Sequence, residues 1–183
     1  MTNETLKIIE KRYSCRSFTG EALKQEEMEA IGLAALQAPS VMNEQPWHIV
    51  VVKSKELIDE MDTTVMAMLS QKEDKTVYNR MMNRGGKIYY NAPCMFVVAK
   101  KPGKDLDCGI VAENIALAAS AMGLGNVICG LTRLAFQTEN GDSYKEKLIP
   151  EGYEFATSVL VGYATENEGT PHAIDMTKLS YIG

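Results

Sequence analysis

Apolar residues along this chain fall into two rhythms, one helical and one strand-like, and the two alternate. The segment "NETLKIIEKR" sets Leu6, Ile8 and Ile9 after Asn3, an N-cap residue type, and predicts a short first helix. "KQEEMEAIGLAALQA" spaces Met28, Ile31, Ala35 and Ala38 at helical intervals, opens with acids and is closed by Pro39. "WHIVVVK" is a continuous β-branched run, the signature of a strand covered on both faces. Residues 54–84 are helical in composition and rich in Met, with a break near "QKEDK". A second buried strand follows in "PCMFVVAKK". Asp107 to Gly123, "DCGIVAENIALAASAMG", predicts a long Ala-rich helix with an acidic cap and a glycine stop. "NVICGL" and "YEFATSVLVGYA" predict two more strands, and the polar, turn-rich tail from residue 165 predicts no core element. The order is α-α-β-α-β-α-β-α-β plus tail, with no repeat, linker or low-complexity block. Residues 1–183 are therefore expected to form one domain, α+β or three-layer α/β/α, around a small central sheet.

Composition narrows the function classes. With 183 residues, 45% of them apolar and 23% charged, the chain can bury a core without metal or disulfide staples. A net charge of −5 provides no basic footprint for nucleic acid. No apolar run is long enough for a bilayer, and the charged, amphipathic N-terminus has no signal-peptide core, so a cytoplasmic location and no membrane partner are expected. Cys15, Cys94, Cys108 and Cys129 form no C-x-x-C pair, and His48 and His172 stand far apart, so neither disulfides nor a metal site are expected. Cys94 reads as a small buried apolar residue.

Three stretches could carry chemistry. In "KRYSCRSF", Arg12, Ser14 and Arg16 recur at every second residue, so an extended backbone would project all three to one side. Two guanidiniums and a hydroxyl there suit a phosphate and a delocalised anion; a solvated helix end stabilising its own dipole is the plainer alternative. In "APSVMNEQPW", Asn43 and Gln45 could read a heterocycle edge, Trp47 fits the core, and ordinary turn chemistry around Pro39 and Pro46 is the alternative. In "GLGNVICGL", Gly123 ends the long helix and Gly125 is assigned to the tight turn. Gly130, near a strand end, marks either a close approach or a bulge. That segment lies between helix and strand, the reverse of a dinucleotide fingerprint, and lacks the Lys of a phosphate-binding P-loop. No G-x-S-x-G elbow announces a hydrolase.

Taken together and in this order, the motifs resemble the flavin-dependent nitroreductase family over nearly the full chain. R-x-S-x-R-x-F is matched from Arg12 to Phe18, A-P-S-x-x-N-x-Q-P-W from Ala38 to Trp47, and "NAPCMFVV", "AENIALAASAMGLG", "VICGL" and "VLVGYA" follow in register. The resemblance implies a nitroreductase-like fold with a mainly antiparallel sheet, forming an intimate homodimer whose two interface sites each hold FMN. It implies an NAD(P)H oxidoreductase, using NADH or NADPH, that passes hydride through the flavin to nitroaromatic, quinone or similar acceptors by a ping-pong mechanism. The competing reading on the same fold is a flavin-sequestering protein without turnover. By the same resemblance, Arg12, Tyr13 and Ser14 meet the phosphate and ribityl chain, and Arg16 meets the pyrimidine end of the ring. Backbone N–H groups around Cys129 and Gly130 face flavin N5, with no side chain acting as a catalytic acid or base. Pro39, Ser40 and Asn43 would be given to the other copy's flavin, positioned by Gln45 and Trp47, and the tail from about residue 165 would contact the other copy. One departure stands out: where relatives carry K-x-R in the tail, "GTPHAID" has only His172 to offer the phosphate.

Overall fold

A computed structural model describes residues 3–165 and 169–183. Helix α1 spans Glu4–Lys11, and Asn3 caps it by accepting from the Leu6 N–H at 2.9 Å. Helix α2, Gln25–Leu36, buries Met28, Ile31 and Ala35. Strand β1, Trp47–Val52, leads into α3, Lys55–Gln71, whose Ser54 cap accepts from Leu57 N–H. The expected break at "QKEDK" separates α3 from α4, Thr76–Met82. Then come β2, Cys94–Lys100; α5, Asp105–Ala121; and β3, Gly125–Ile128. A 3-10 helix at Gly130–Gln137, helix α6 at Gly141–Leu148 and strand β4 at Glu154–Gly162 complete the core. The described tail holds one 3-10 turn, Met176–Lys178, with no buried residue.

The sheet runs β1-β2-β4-β3, with every pairing antiparallel. Side chains alternate across β2 and β4, so one sequence feeds two cores. Met95, Val97 and Leu160 pack on Met61, Val65, Tyr89 and Tyr144. Phe96, Val98, Val159 and Val161 pack on Ile31, Ala35, Val111, Ile115 and Trp47. Helices α2 and α5 thus cover one face, and α3, α6 and the long 3-10 helix cover the other. The three-layer α/β/α expectation holds.

Four local expectations need correction. β1 is an edge strand with four of its six residues at least partly exposed, because its β-branched run has a helix-covered face but no strand beyond it. The strand in "NVICGL" ends at Ile128, and Gly130 already opens a 3-10 helix. α5 starts at Asp105, and Asp107 serves a neighbour: its carboxylate accepts from Val41 N–H at 3.2 Å. Gly123 does end α5, at φ +74°, but Gly125 is no turn. It opens β3, and a Cβ there would lie 2.8 Å from Cys15 Sγ.

Candidate functional site

Arg12 leaves α1 with φ −58° and ψ 131°, and the chain runs extended along the free edge of β3. Ser14 bridges Asn126 in parallel, and the Cys15 N–H donates to the Asn126 carbonyl at 2.8 Å. Tyr13 and Cys15 turn inward to the core, which leaves Arg12, Ser14 and Arg16 on the opposite side. The Arg16 Nη1 donates to the Ser14 carbonyl at 3.2 Å.

Phe18 fixes the end of this strip. It bridges Ala164, its N–H donates to the Tyr90 carbonyl at 3.2 Å, and Asn91 Nδ2 donates to its own carbonyl at the same distance. Its ring rests on Gly125 and Gly162, which face each other across β3 and β4. A Cβ on Gly162 would sit 2.6 Å from Pro93 Cδ and 3.0 Å from Phe18 Cδ1; one on Gly125 would sit 3.2 Å from Phe18 Cε1. The paired glycines form a notch, and the phenylalanine closing the first motif fills it. Burying that ring contributes about 1.5–3 kcal/mol.

Beyond the strip, β3 delivers Cys129 and Gly130. Cys129 is turned inward at every polar group. Its N–H donates to the Ser158 carbonyl at 2.7 Å, its carbonyl accepts from Ser158 Oγ at 2.9 Å, and its thiol donates to the Ile88 carbonyl at 3.9 Å. Burial pushes the thiol's pKa up, which removes any thiolate reactivity near neutral pH. Gly130 faces outward, and a Cβ there would meet no atom within 4 Å. As the first residue of its 3-10 helix, it presents an N–H that the helix itself does not satisfy.

A cavity of about 390 Å³ opens beside Arg12 and Tyr13, bounded by Gly169 and Pro171 of the tail. The tail lies close on the Tyr13 ring, 2.6 Å from where a Gly169 Cβ would stand. His172 is exposed, one residue past the cavity. Residues 166–168 of the expected tail contact lie outside the described residues.

The second polar motif sits at the other end of the molecule. Met42, Asn43 and Gln45 take φ of 52°, 55° and 47°, left-handed positions in residues with side chains, with Glu44 right-handed between them. Ser40 Oγ accepts from Gln45 N–H at 2.9 Å, and Gln45 Nε2 donates to Asn43 Oδ1 at 3.2 Å. Glu44 pairs with Lys104, and Val41 is tied to Asp107 at the start of α5. Pro39 and Asn43 remain exposed, while Trp47 is buried in the core. The strip, by contrast, lies near Ser120 and Gly123 at the far end of α5. From Asp107 to Ser120 the helix rises about 20 Å. One chain does not bring its two motifs together.

The nitroreductase family model matches residues 9–149. The chain belongs to the nitroreductase family. A nitroreductase of Desulfitobacterium hafniense DCB-2, solved with bound FMN, is 46% identical with a TM-score of 0.95, and all of each chain is covered. An FMN-dependent nitroreductase of Clostridium difficile R20291 is 27% identical with a TM-score of 0.81, covering 98% of this chain and 99% of the other. A relative from Archaeoglobus fulgidus, provisionally named NADH dehydrogenase/NAD(P)H nitroreductase, is 30% identical over 94% of this chain and 92% of its own.

Within this nitroreductase-family chain, the strip, Gly130 and the tail segment before His172 lie along one sheet edge, and Pro39, Ser40 and Asn43 lie apart from them. Lys11 and Asn126, which line the cavity with Arg12, went unassigned in the sequence. A polar residue opening an apolar strand was the available signal for Asn126.

Proposed function

We propose that the chain is half of a homodimeric, FMN-dependent oxidoreductase that takes hydride from NADH or NADPH and reduces nitroaromatics, quinones or similar electron-poor acceptors by a ping-pong mechanism. The observation that carries this reading is the separation of two polar motifs to opposite ends of α5, and we read each as half of a site. Support comes from the bound FMN of the Desulfitobacterium hafniense nitroreductase and the NAD(P)H in the name of the archaeal relative.

The residues present fit a flavin. An alternating row of guanidinium, hydroxyl and guanidinium is bridged to β3 through Ser14, and the segment that follows β3 begins with a glycine that has open space above it. FMN, when bound, supplies the two-electron relay between nicotinamide and acceptor. Arg12 and Ser14 hold the phosphate end, where a planar guanidinium accommodates two oxygens. Arg16 sets a fixed positive charge at the pyrimidine end, which stabilises negative charge there and favours the reduced form. With Cys129 committed inward, the backbone donor to the ring falls to Gly130, whose N–H does not titrate. Nicotinamide and acceptor would use the same open face in turn.

The loop from Pro39 to Asn43 is held by hydrogen bonds within its own chain, so it can complete the other copy's site at little ordering cost. Dimerisation also suits the bare edge of β1. An apolar groove of about 580 Å³ lies beside it, lined by Met28, Leu33, Leu36 and Val51. The tail offers Ile174, Met176, Leu179, Tyr181 and Ile182, all exposed, and we assign it to the surface of the other copy.

The test is anaerobic. Protein loaded with FMN should lose its yellow absorbance on adding NADH or NADPH and regain it with a quinone or nitro compound. Retained colour after both nucleotides would favour flavin storage over turnover.

A further inference from the structure

The cavity beside Arg12 carries more chemistry than one guanidinium. Lys11 and Arg12, consecutive residues at the end of α1, both line it, and neither takes part in an ion pair among the described residues. Lys11 alone could be explained as a cation stabilising the C-terminus of its own helix. Another lining residue argues for a ligand. Asn126 is 2% exposed, its Nδ2 donates to Ser120 Oγ at 2.9 Å, and its Oδ1 has no hydrogen-bond partner. A buried acceptor without a donor is costly, so native proteins rarely leave one unless something else fills the role. The cavity is therefore lined by two cations and by a residue whose buried acceptor has no donor. A chain of hydroxyls ending in a phosphate has the matching chemistry.

The tail makes the same point from the other direction. It reaches this cavity with Gly169 and Pro171, neither of which carries charge, and His172 points to solvent beyond them. A phosphate here would meet Arg12 and then need a second cation, which the tail does not bring. Lys11 is in place to be that cation, a mobile point charge complementing the planar fork of Arg12.

We infer that Lys11 and Asn126 complete the phosphate-and-ribityl end of the flavin site, Lys11 as the second phosphate cation in place of a tail residue and Asn126 as the acceptor for a ribityl hydroxyl. The inference rests on the flavin reading above, and the test separates the two. Full-length protein freed of flavin is titrated with FMN and with riboflavin, following flavin fluorescence, for the parent, Lys11→Met, Lys11→Arg and Asn126→Leu. Lys11→Met should weaken FMN about tenfold or more, leave riboflavin unchanged and flatten the salt dependence. Lys11→Arg should restore most of the loss. Asn126→Leu, at a parent-like melting temperature, should weaken both flavins by a similar factor, because both carry the ribityl chain. An unchanged ratio of FMN to riboflavin affinity in Lys11→Met would overturn the inference while leaving the flavin reading intact. A parent protein that binds neither flavin would overturn both.

Discussion

The two edges of the sheet are finished in opposite ways. Beyond β3 the chain covers its own edge with the strip from Arg12 to Phe18, pinned by the Ser14–Asn126 bridge and the glycine notch. Beyond β1 nothing from the described residues pairs, and the strand stands half-exposed beside an apolar groove. An unpaired, partly apolar edge is normally an aggregation hazard that proteins cover or blunt. The covered edge presents cations and an open glycine; the bare edge is fed by a strained, preorganised polar loop. In the homodimer proposed above, the polar loop of one copy would complete the cation-bearing strip of the other.

The largest break in this comparison is Phe18→Ala. It empties the notch over Gly125 and Gly162 and should cost about 3–5 kcal/mol in denaturant unfolding, loosening the strip while the β1 edge keeps its packing. An effect no larger than that of a surface change would mean that the strip is not anchored there.

Asp62 sharpens the contrast, because it is a buried carboxylate that anchors the segment receiving the strip. Its Oδ1 accepts from Ile88 N–H at 2.8 Å, just ahead of the Tyr90 carbonyl that receives Phe18. Burial raises its pKa to about 6, partly offset by the Ile88 N–H and the nearby Lys87. The folded protein thus holds this proton more tightly than the unfolded chain does. The preference stabilises fully below about pH 4 and is lost as pH rises towards 6, by up to about 3 kcal/mol. Asp62→Asn should flatten that decline, measured by urea unfolding at a series of pH values. A parallel decline in the variant would assign the slope to other groups.

Arg16→Leu should leave stability nearly unchanged, lower the flavin potential and slow reduction by nicotinamide roughly ten- to hundredfold. Matching potentials in parent and variant would remove the electrostatic role. The smallest effect belongs to the loop. Ser40→Ala deletes the acceptor for Gln45 N–H and should cost about 1 kcal/mol of stability, with a proportionately larger loss of flavin retention because the loop geometry relaxes. Stability loss with unaltered flavin retention would detach the loop from the site.

Much of this was readable from the residues. Periodicity located α2, α3, α5 and the four strands, including the interruption at "QKEDK", because each has a buried face that repeats at its own period; the long 3-10 helix and α6, between β3 and β4, were given no residues. Alternation in "KRYSCRSF" was enough to set Arg12, Ser14 and Arg16 apart from Tyr13 and Cys15. What escaped depends on contacts distant in sequence. A β-branched run looks the same in a central and an edge strand, so β1 was placed inside. Cys129 and Gly130 are neighbours in the chain, yet only the pairing of β3 with Ser158 on β4 shows that Cys129 is committed inward. Asp107 looked like a helix cap because nothing local reveals that Val41 comes to meet it. Lys11 was read past because its meaning lies in sharing a cavity with Asn126.

The most direct test of a site shared between copies is complementation. One variant carries Arg12→Ala and Ser14→Ala in the strip; the other carries Asn43→Ala in the loop. Each homodimer alone should retain little FMN. Mixed and exchanged, they should form heterodimers with one intact site, the strip of the second variant facing the loop of the first, so flavin binding and nucleotide-driven bleaching return in part. If the mixture recovers nothing while the subunits demonstrably exchange, or if a monomer of the parent binds one FMN at full affinity, the site is not built from two copies.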